Sequence, residues 1–170
     1  MNINEINKTG RKIIEVMGLT TPPVAIMLTS NIYRIPESID KIDNNMSHCQ
    51  MVNKIREESV QFYAFEENQQ CKNGAAVMGM RELNPEFANG NELYNEGHYK
   101  DRYLAKETIQ QIPKLEPNSV KAIIYGPLNK ADFIPDIVLF IGNPENIMQI
   151  SRGMEQEANS FNCWRNASNY

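Results

Sequence analysis

The stretch PPVAIML, residues 22–28, is the strongest fold signal in this sequence. Pro22 and Pro23 force an extended backbone, and the unbroken apolar run that follows, residues 24–28, has the length of a buried strand. Three further runs are apolar or aromatic and bounded by turn residues, namely residues 60–65, 120–125 and 137–141. The sequence therefore predicts four strands.

Helical patterns lie around these strand-like runs. Residues 3–17 place apolar side chains at helical spacing, and Gly18 follows where a left-handed cap fits. Ser47 and Gln50 have the spacing of a capping box, which predicts a helix that begins near Ser47. The Asn-Pro pair at residues 143–144 predicts another helix start, because proline suits the first turn.

The interleaving of strands and helices indicates an α/β (or α+β) fold with a single mixed central sheet and flanking helices. A chain of 170 residues is long enough to bury a core without disulfides or metals. We expect residues 1–155 to form a single domain and residues 156–170 to form a C-terminal tail.

Charge and hydropathy exclude two classes of partner. The net charge is -4 and no run of Lys or Arg appears, so we expect no nucleic-acid binding. Apolar stretches such as residues 137–141 fall far short of the roughly 20 residues that a membrane span needs, so we expect no membrane insertion. Residues 1–10 are polar and lack the apolar core of a signal peptide, which favours a cytoplasmic location.

Two of the three cysteines, Cys49 and Cys71, precede or begin predicted helices. Free backbone N–H groups and the helix dipole at such positions favour a thiolate, which can ligate a metal, attack an electrophile or pair with a second thiol. The alternative is that both are small buried apolar side chains. The third, Cys163, leaves an odd number of cysteines, which argues against a disulfide framework.

His48 and Gly74 are the other candidate site residues. His48 adjoins Cys49 and is the nearest additional metal ligand, although a half-buried histidine bonded to a nearby group is the simpler alternative. Gly74 follows Cys71 and would leave room for a ligand. We therefore predict a metal site of Cys49, Cys71 and His48 and a cofactor site of Cys49, Cys71 and Gly74. In a shared site the two sulfurs should lie within ~7 Å.

Six short motifs occur in an order that is characteristic of one family. They are PPVA at residues 22–25, HCQ at 48–50, CKNGA at 71–75, GPL at 126–128, PDIVLF at 135–140 and GNP at 142–144. This set resembles the domain-of-unknown-function 169 family of archaea and anaerobic bacteria, over roughly residues 10–154. The resemblance implies that Cys49 and Cys71 are family features. Members of that family continue further, so we expect a short or truncated member.

The family has no assigned activity, so three functional hypotheses stay open. The first is a protein that binds an iron–sulfur cluster, a haem or another metal cofactor through Cys49 and Cys71, with a redox or regulatory role. Two or three cysteines are too few for a four-thiolate cluster, so a homodimer, a histidine or the missing C-terminal segment would have to complete it. The second is a thiol-dependent enzyme or redox sensor that uses Cys49 or Cys71. The third is a non-enzymatic binding module with structural cysteines.

Overall fold

The computed structural model describes residues 2–157. The predicted tail, residues 156–170, begins inside the last helix and otherwise lies outside the described residues, as does Cys163. The proposed domain boundary therefore stays a prediction.

The centre of the fold is one four-stranded sheet. Its strands are β1 (Val24–Thr29), β2 (Phe62–Phe65), β3 (Ala122–Pro127) and β4 (Ile137–Leu139), in the order β2-β3-β1-β4. All four predicted strands are confirmed, and so is the α/β (or α+β) class with a single central sheet.

Every pair of named strands is antiparallel, and within residues 2–157 parallel pairing occurs only at isolated bridges such as Met46–Gln69. The sheet that we expected to be mixed is therefore antiparallel throughout its strands. The physical reason is the connectivity, because the long connection between β2 and β3 returns the chain to the sheet end that it left. In the register, Tyr125 of β3 lies between Ile26 of β1 and Phe62 of β2.

Seven α-helices surround the sheet among residues 2–157. They are α1 (Ile3–Met17), α2 (His48–Glu58), α3 (Lys72–Val77), α4 (Pro85–Ala88), α5 (Asn91–Asn95), α6 (Arg102–Gln111) and α7 (Pro144–Glu157). The predicted capping box of α2 is present, because the Ser47 hydroxyl accepts from the Gln50 N–H at 3.3 Å and the Gln50 amide oxygen accepts from the Ser47 N–H at 2.8 Å. Gly18 ends α1 in the left-handed conformation.

The core has two halves, one on each face of the sheet. On one face, α2 packs Met51, Val52 and Ile55 against side chains that include Phe62 and Tyr125. The other face packs against α1 and the segment after β3, and its buried members are Ile6, Ala25, Met27, Ile39, Ile124, Leu128, Ala131 and Phe133. Alternate residues of β1 and β3 therefore enter different halves of the core, which explains why both strands read as continuous apolar runs.

The β4 side of the sheet is less covered than the rest. β4 is an edge strand, and the apolar side chains around it that stand exposed are Ile134, Ile137, Ile141, Ile147 and Met148. Within residues 2–157, no helix has both the length and the apolar character to cross a membrane.

Candidate functional site

The two cysteines occupy the starts of two helices on the same face of the sheet. Cys49 is the second residue of α2, and Cys71 is the N-cap of α3, where its Sγ accepts a hydrogen bond from the Gly74 N–H at 3.3 Å. Both side chains are exposed and both thiols are free. The alternative that these cysteines are buried apolar side chains is therefore wrong.

Backbone hydrogen bonds join the two segments that lead into these helices. The Met46 N–H donates to the Asn68 carbonyl at 3.0 Å, and the Gln70 N–H donates to the Met46 carbonyl at 3.0 Å, which makes the parallel bridge between Met46 and Gln69. Such a bridge sets its two backbones about 5 Å apart. We call residues 46–49 and 69–72 the paired helix starts.

A chain of buried polar groups lies beneath the paired helix starts. The Nε2 of Gln69 donates to the Tyr125 hydroxyl at 3.4 Å, and that hydroxyl lies 2.9 Å from the Nδ1 of His48. Tyr125 has no exposed surface and Gln69 is 1% exposed, so both are part of the core. The Gln69 Nε2 also lies 3.7 Å from the Met51 sulfur, whereas its Oε1 is buried without a partner among the described residues.

Burial favours the neutral forms of both rings in this hydrogen-bond network, the imidazole of His48 and the phenol of Tyr125. Desolvation lowers the pKa of His48 below its usual 6.5, which favours the neutral imidazole at neutral pH. Desolvation also raises the pKa of Tyr125 far above its usual value, so the hydroxyl keeps its proton and can donate it. The hydrogen bond between His48 and Tyr125 therefore joins two neutral rings, whose centroids lie 5.5 Å apart.

Among the described residues, the predicted metal and cofactor residues have neither a group of three metal-ligating side chains nor free space beside Gly74. No three His, Cys, Asp or Glu side chains group closely enough to hold a metal ion within residues 2–157. A Cβ added at Gly74 would meet the Cys71 sulfur at 3.1 Å, so the space beside this glycine is taken by that sulfur. The metal role of Cys49, Cys71 and His48, the cofactor role of Gly74 and a bound iron–sulfur cluster or haem stay predictions.

Sequence reasoning missed two members of this site, Tyr125 and Gln69. Tyr125 stands at the end of an otherwise aliphatic strand pattern, and Gln69 stands in a polar turn, so both carried only structural signals. One signal in the sequence pointed to Tyr125, because it is a tyrosine in a run that predicts a fully buried strand. A buried tyrosine hydroxyl usually has a polar partner.

A separate apolar pocket of about 350 Å³ lies on the opposite face of the sheet, between α1 and the β4 region. Ile6, Ile13 and Leu128 line it together with Val138 and Phe140, and the wall carries few polar atoms. It shares no residue with the paired helix starts. The thiols and the largely apolar pocket are therefore independent features.

Comparisons with known proteins identify relatives of the chain. The model of the DUF169 family, described as Uncharacterised ArCR, matches residues 12–164. An uncharacterised protein of Methanocaldococcus jannaschii is 39% identical over 145 residues, which cover 85% of this chain and 62% of that protein. The chain thus spans less than two thirds of the relative's length. No solved structure matches it.

Proposed function

Because the chain belongs to the DUF169 family, whose description is uncharacterised, we propose a function from the geometry of the site itself. The paired helix starts form a two-thiol centre in which Cys49 and Cys71 exchange reversibly with a small disulfide. The observation that carries this proposal is the backbone pairing through Met46, which brings two exposed thiols to adjacent helix starts.

The reaction needs only these two sulfurs and a disulfide co-substrate. One thiolate attacks a sulfur of the small disulfide, which releases one small thiol and leaves a mixed disulfide. The second thiolate then attacks the protein sulfur of that mixed disulfide, which releases the second small thiol and forms the Cys49–Cys71 bond. Two protein thiols are oxidised and one small disulfide is reduced to two thiols.

This chemistry fits the site better than an iron–sulfur cluster does. Such a cluster requires ligands in addition to the two thiols, and the described residues group no third His, Cys, Asp or Glu with them. Those ligands would come from a second copy of the chain or from outside residues 2–157. The free thiols also fit a cytoplasmic location, because that compartment keeps cysteines reduced.

The test measures disulfide formation in a Cys163→Ser background, so that only Cys49 and Cys71 react. After incubation with oxidised glutathione, intact mass spectrometry should show a loss of two hydrogen atoms with no glutathione attached. Adding Cys49→Ser or Cys71→Ser should instead give one stable glutathione adduct. Two adducts without an internal disulfide would refute the proposal, because bonded cysteines need Cα atoms within about 7 Å.

The same protein also tests the metal hypothesis. Protein purified without oxygen should show no visible absorption band if the thiols are a redox pair. A band that both cysteine variants lose would favour the cofactor hypothesis instead, because cluster and haem sites absorb visible light.

A further inference from the structure

We infer that His48 is a fixed, neutral hydrogen-bond donor of the two-thiol centre, with its proton on Nε2. This inference rests on the proposed function and adds to it. It gives His48 the role of stabilising the sulfur that leaves the small disulfide, in place of the role of metal ligand that the sequence suggested.

The position of the proton follows from the hydrogen-bond chain beneath the site. The Met51 sulfur acts here as a hydrogen-bond acceptor, so the end of the Gln69 amide that lies beside it is the Nε2 of Gln69. This amide nitrogen of Gln69 also donates to the Tyr125 oxygen. The hydroxyl proton of Tyr125 is then left for the Nδ1 of His48, 2.9 Å away. A neutral imidazole whose Nδ1 accepts carries its proton on Nε2.

The ring geometry directs this proton away from the core. The two nitrogens of an imidazole point to nearly opposite sides, and Nδ1 points at a hydroxyl whose residue has no exposed surface. His48 is itself only partly buried, and it begins α2 directly before Cys49. Met46 and Gln69 form the parallel bridge, and His48 and Cys71 each lie two positions after their bridge residue. His48 therefore belongs to the paired helix starts, as Cys71 does.

The neutral state of the donor is favoured twice. An Nδ1 that accepts the Tyr125 proton excludes an imidazolium, and the positive end of the α2 dipole disfavours one as well. A neutral histidine at a helix N-terminus that polarises a substrate atom is a known catalytic arrangement. As a metal ligand through Nε2, His48 would have to give up this proton, and Tyr125 would lose its acceptor.

The donor acts when the sulfur–sulfur bond of the substrate breaks. The attacking thiolate forms the new bond, and the electron pair of the broken bond stays on the departing sulfur. The Nε2–H of His48 donates to that sulfur while the charge develops, and water then supplies the proton. His48 keeps its own proton, so neither an imidazolium nor a tyrosinate forms in the core.

The first test reads the tautomer directly. Nitrogen-15 NMR of the labelled protein at neutral pH should give His48 the pattern of a protonated Nε2, and Tyr125→Phe should shift it towards a mixture. His98→Gln assigns the remaining histidine signals, because His98 is exposed and distant in sequence. A protonated Nδ1 in the wild type would overturn the inference, whether or not the thiols form a disulfide.

The second test measures the rate of the first exchange step. With Cys71→Ser added to the Cys163→Ser background, so that Cys49 forms one stable adduct, His48→Leu should slow glutathione attachment about tenfold, as expected for losing one hydrogen bond to a charged atom. His48→Gln, which restores an N–H donor, should recover part of the rate. Equal rates in all three proteins would overturn the donor role, and because attachment needs one thiol, this result is independent of disulfide closure.

Discussion

Replacing Gln69 by Met should leave the protein at least as stable as the wild type, although Gln69 lies in the core. The side chain is 1% exposed, and its Oε1 has no partner among the described residues. A buried acceptor without a partner destabilises a fold by about 1–3 kcal/mol, and Met is an unbranched apolar side chain of similar length.

The opposing term is the hydrogen bond that Gln69 gives to Tyr125. At 3.4 Å this bond is long, so its loss should remove no more than about 1 kcal/mol of stability. The net expectation for Gln69→Met lies between no change and a gain of about 3 kcal/mol. Tyr125→Phe should act in the opposite direction and destabilise by about 1–3 kcal/mol, because it leaves both the Gln69 amide and the His48 Nδ1 without their partner.

Urea unfolding at neutral pH measures the stability of Gln69→Met and Tyr125→Phe. A shift of the transition midpoint, with an unchanged dependence of the unfolding free energy on urea concentration, reports the change in stability. The double variant completes a cycle, and a coupling of at least about 0.5 kcal/mol is expected between residues that share a hydroxyl. A loss above about 1 kcal/mol for Gln69→Met would refute the reasoning, because it would show that the amide is fully satisfied.

Four further changes test other parts of the fold. Ser47→Ala should cost about 1 kcal/mol through the lost cap of α2, and an unchanged melting temperature would contradict the capping geometry. Gly10→Ala would place a Cβ 2.9 Å from facing backbone atoms and should destabilise by about 1–3 kcal/mol, whereas the control Gly153→Ala meets no atom within 4 Å and should gain about 0.5 kcal/mol. Stability should fall as the pH drops below 6.5, because the lowered pKa of His48 lets the unfolded chain bind the proton first, and His48→Gln should flatten that slope in pH-dependent unfolding. Ile137→Lys on the edge strand should change stability by less than about 0.5 kcal/mol, and a larger loss would show that this side chain is covered.

The elements of this fold could be predicted because their signals are local. The apolar run after Pro23 and the Ser47 capping box depend on neighbouring residues, and both give the elements that the structure contains. The strand order and the antiparallel pairing could not be predicted. They depend on which distant surfaces bury each other, and a short apolar run is compatible with many partners.

The site shows the same division between local and distant information. The helix starts at Cys49 and Cys71 follow from local patterns, and the structure has both. The hydrogen bond between His48 and Tyr125 joins residues 77 positions apart, and no local pattern marks it. The metal role suggested for His48 came from its sequence neighbour Cys49. The tautomer that we infer for His48 depends instead on Tyr125, which lies in β3.

That strand also determines when the site can form during synthesis. β1 and β2 are not neighbours, and each pairs with β3, so both lack this partner until β3 has been made. At translation rates of about 5–20 residues per second, the chain needs roughly 4–15 s to grow from His48 to Tyr125. A nascent chain therefore carries both thiols for seconds before their hydrogen-bonded support exists, and non-local pairing of this kind also slows folding. The newly made protein consequently depends on reducing surroundings before the folded one can use its thiols.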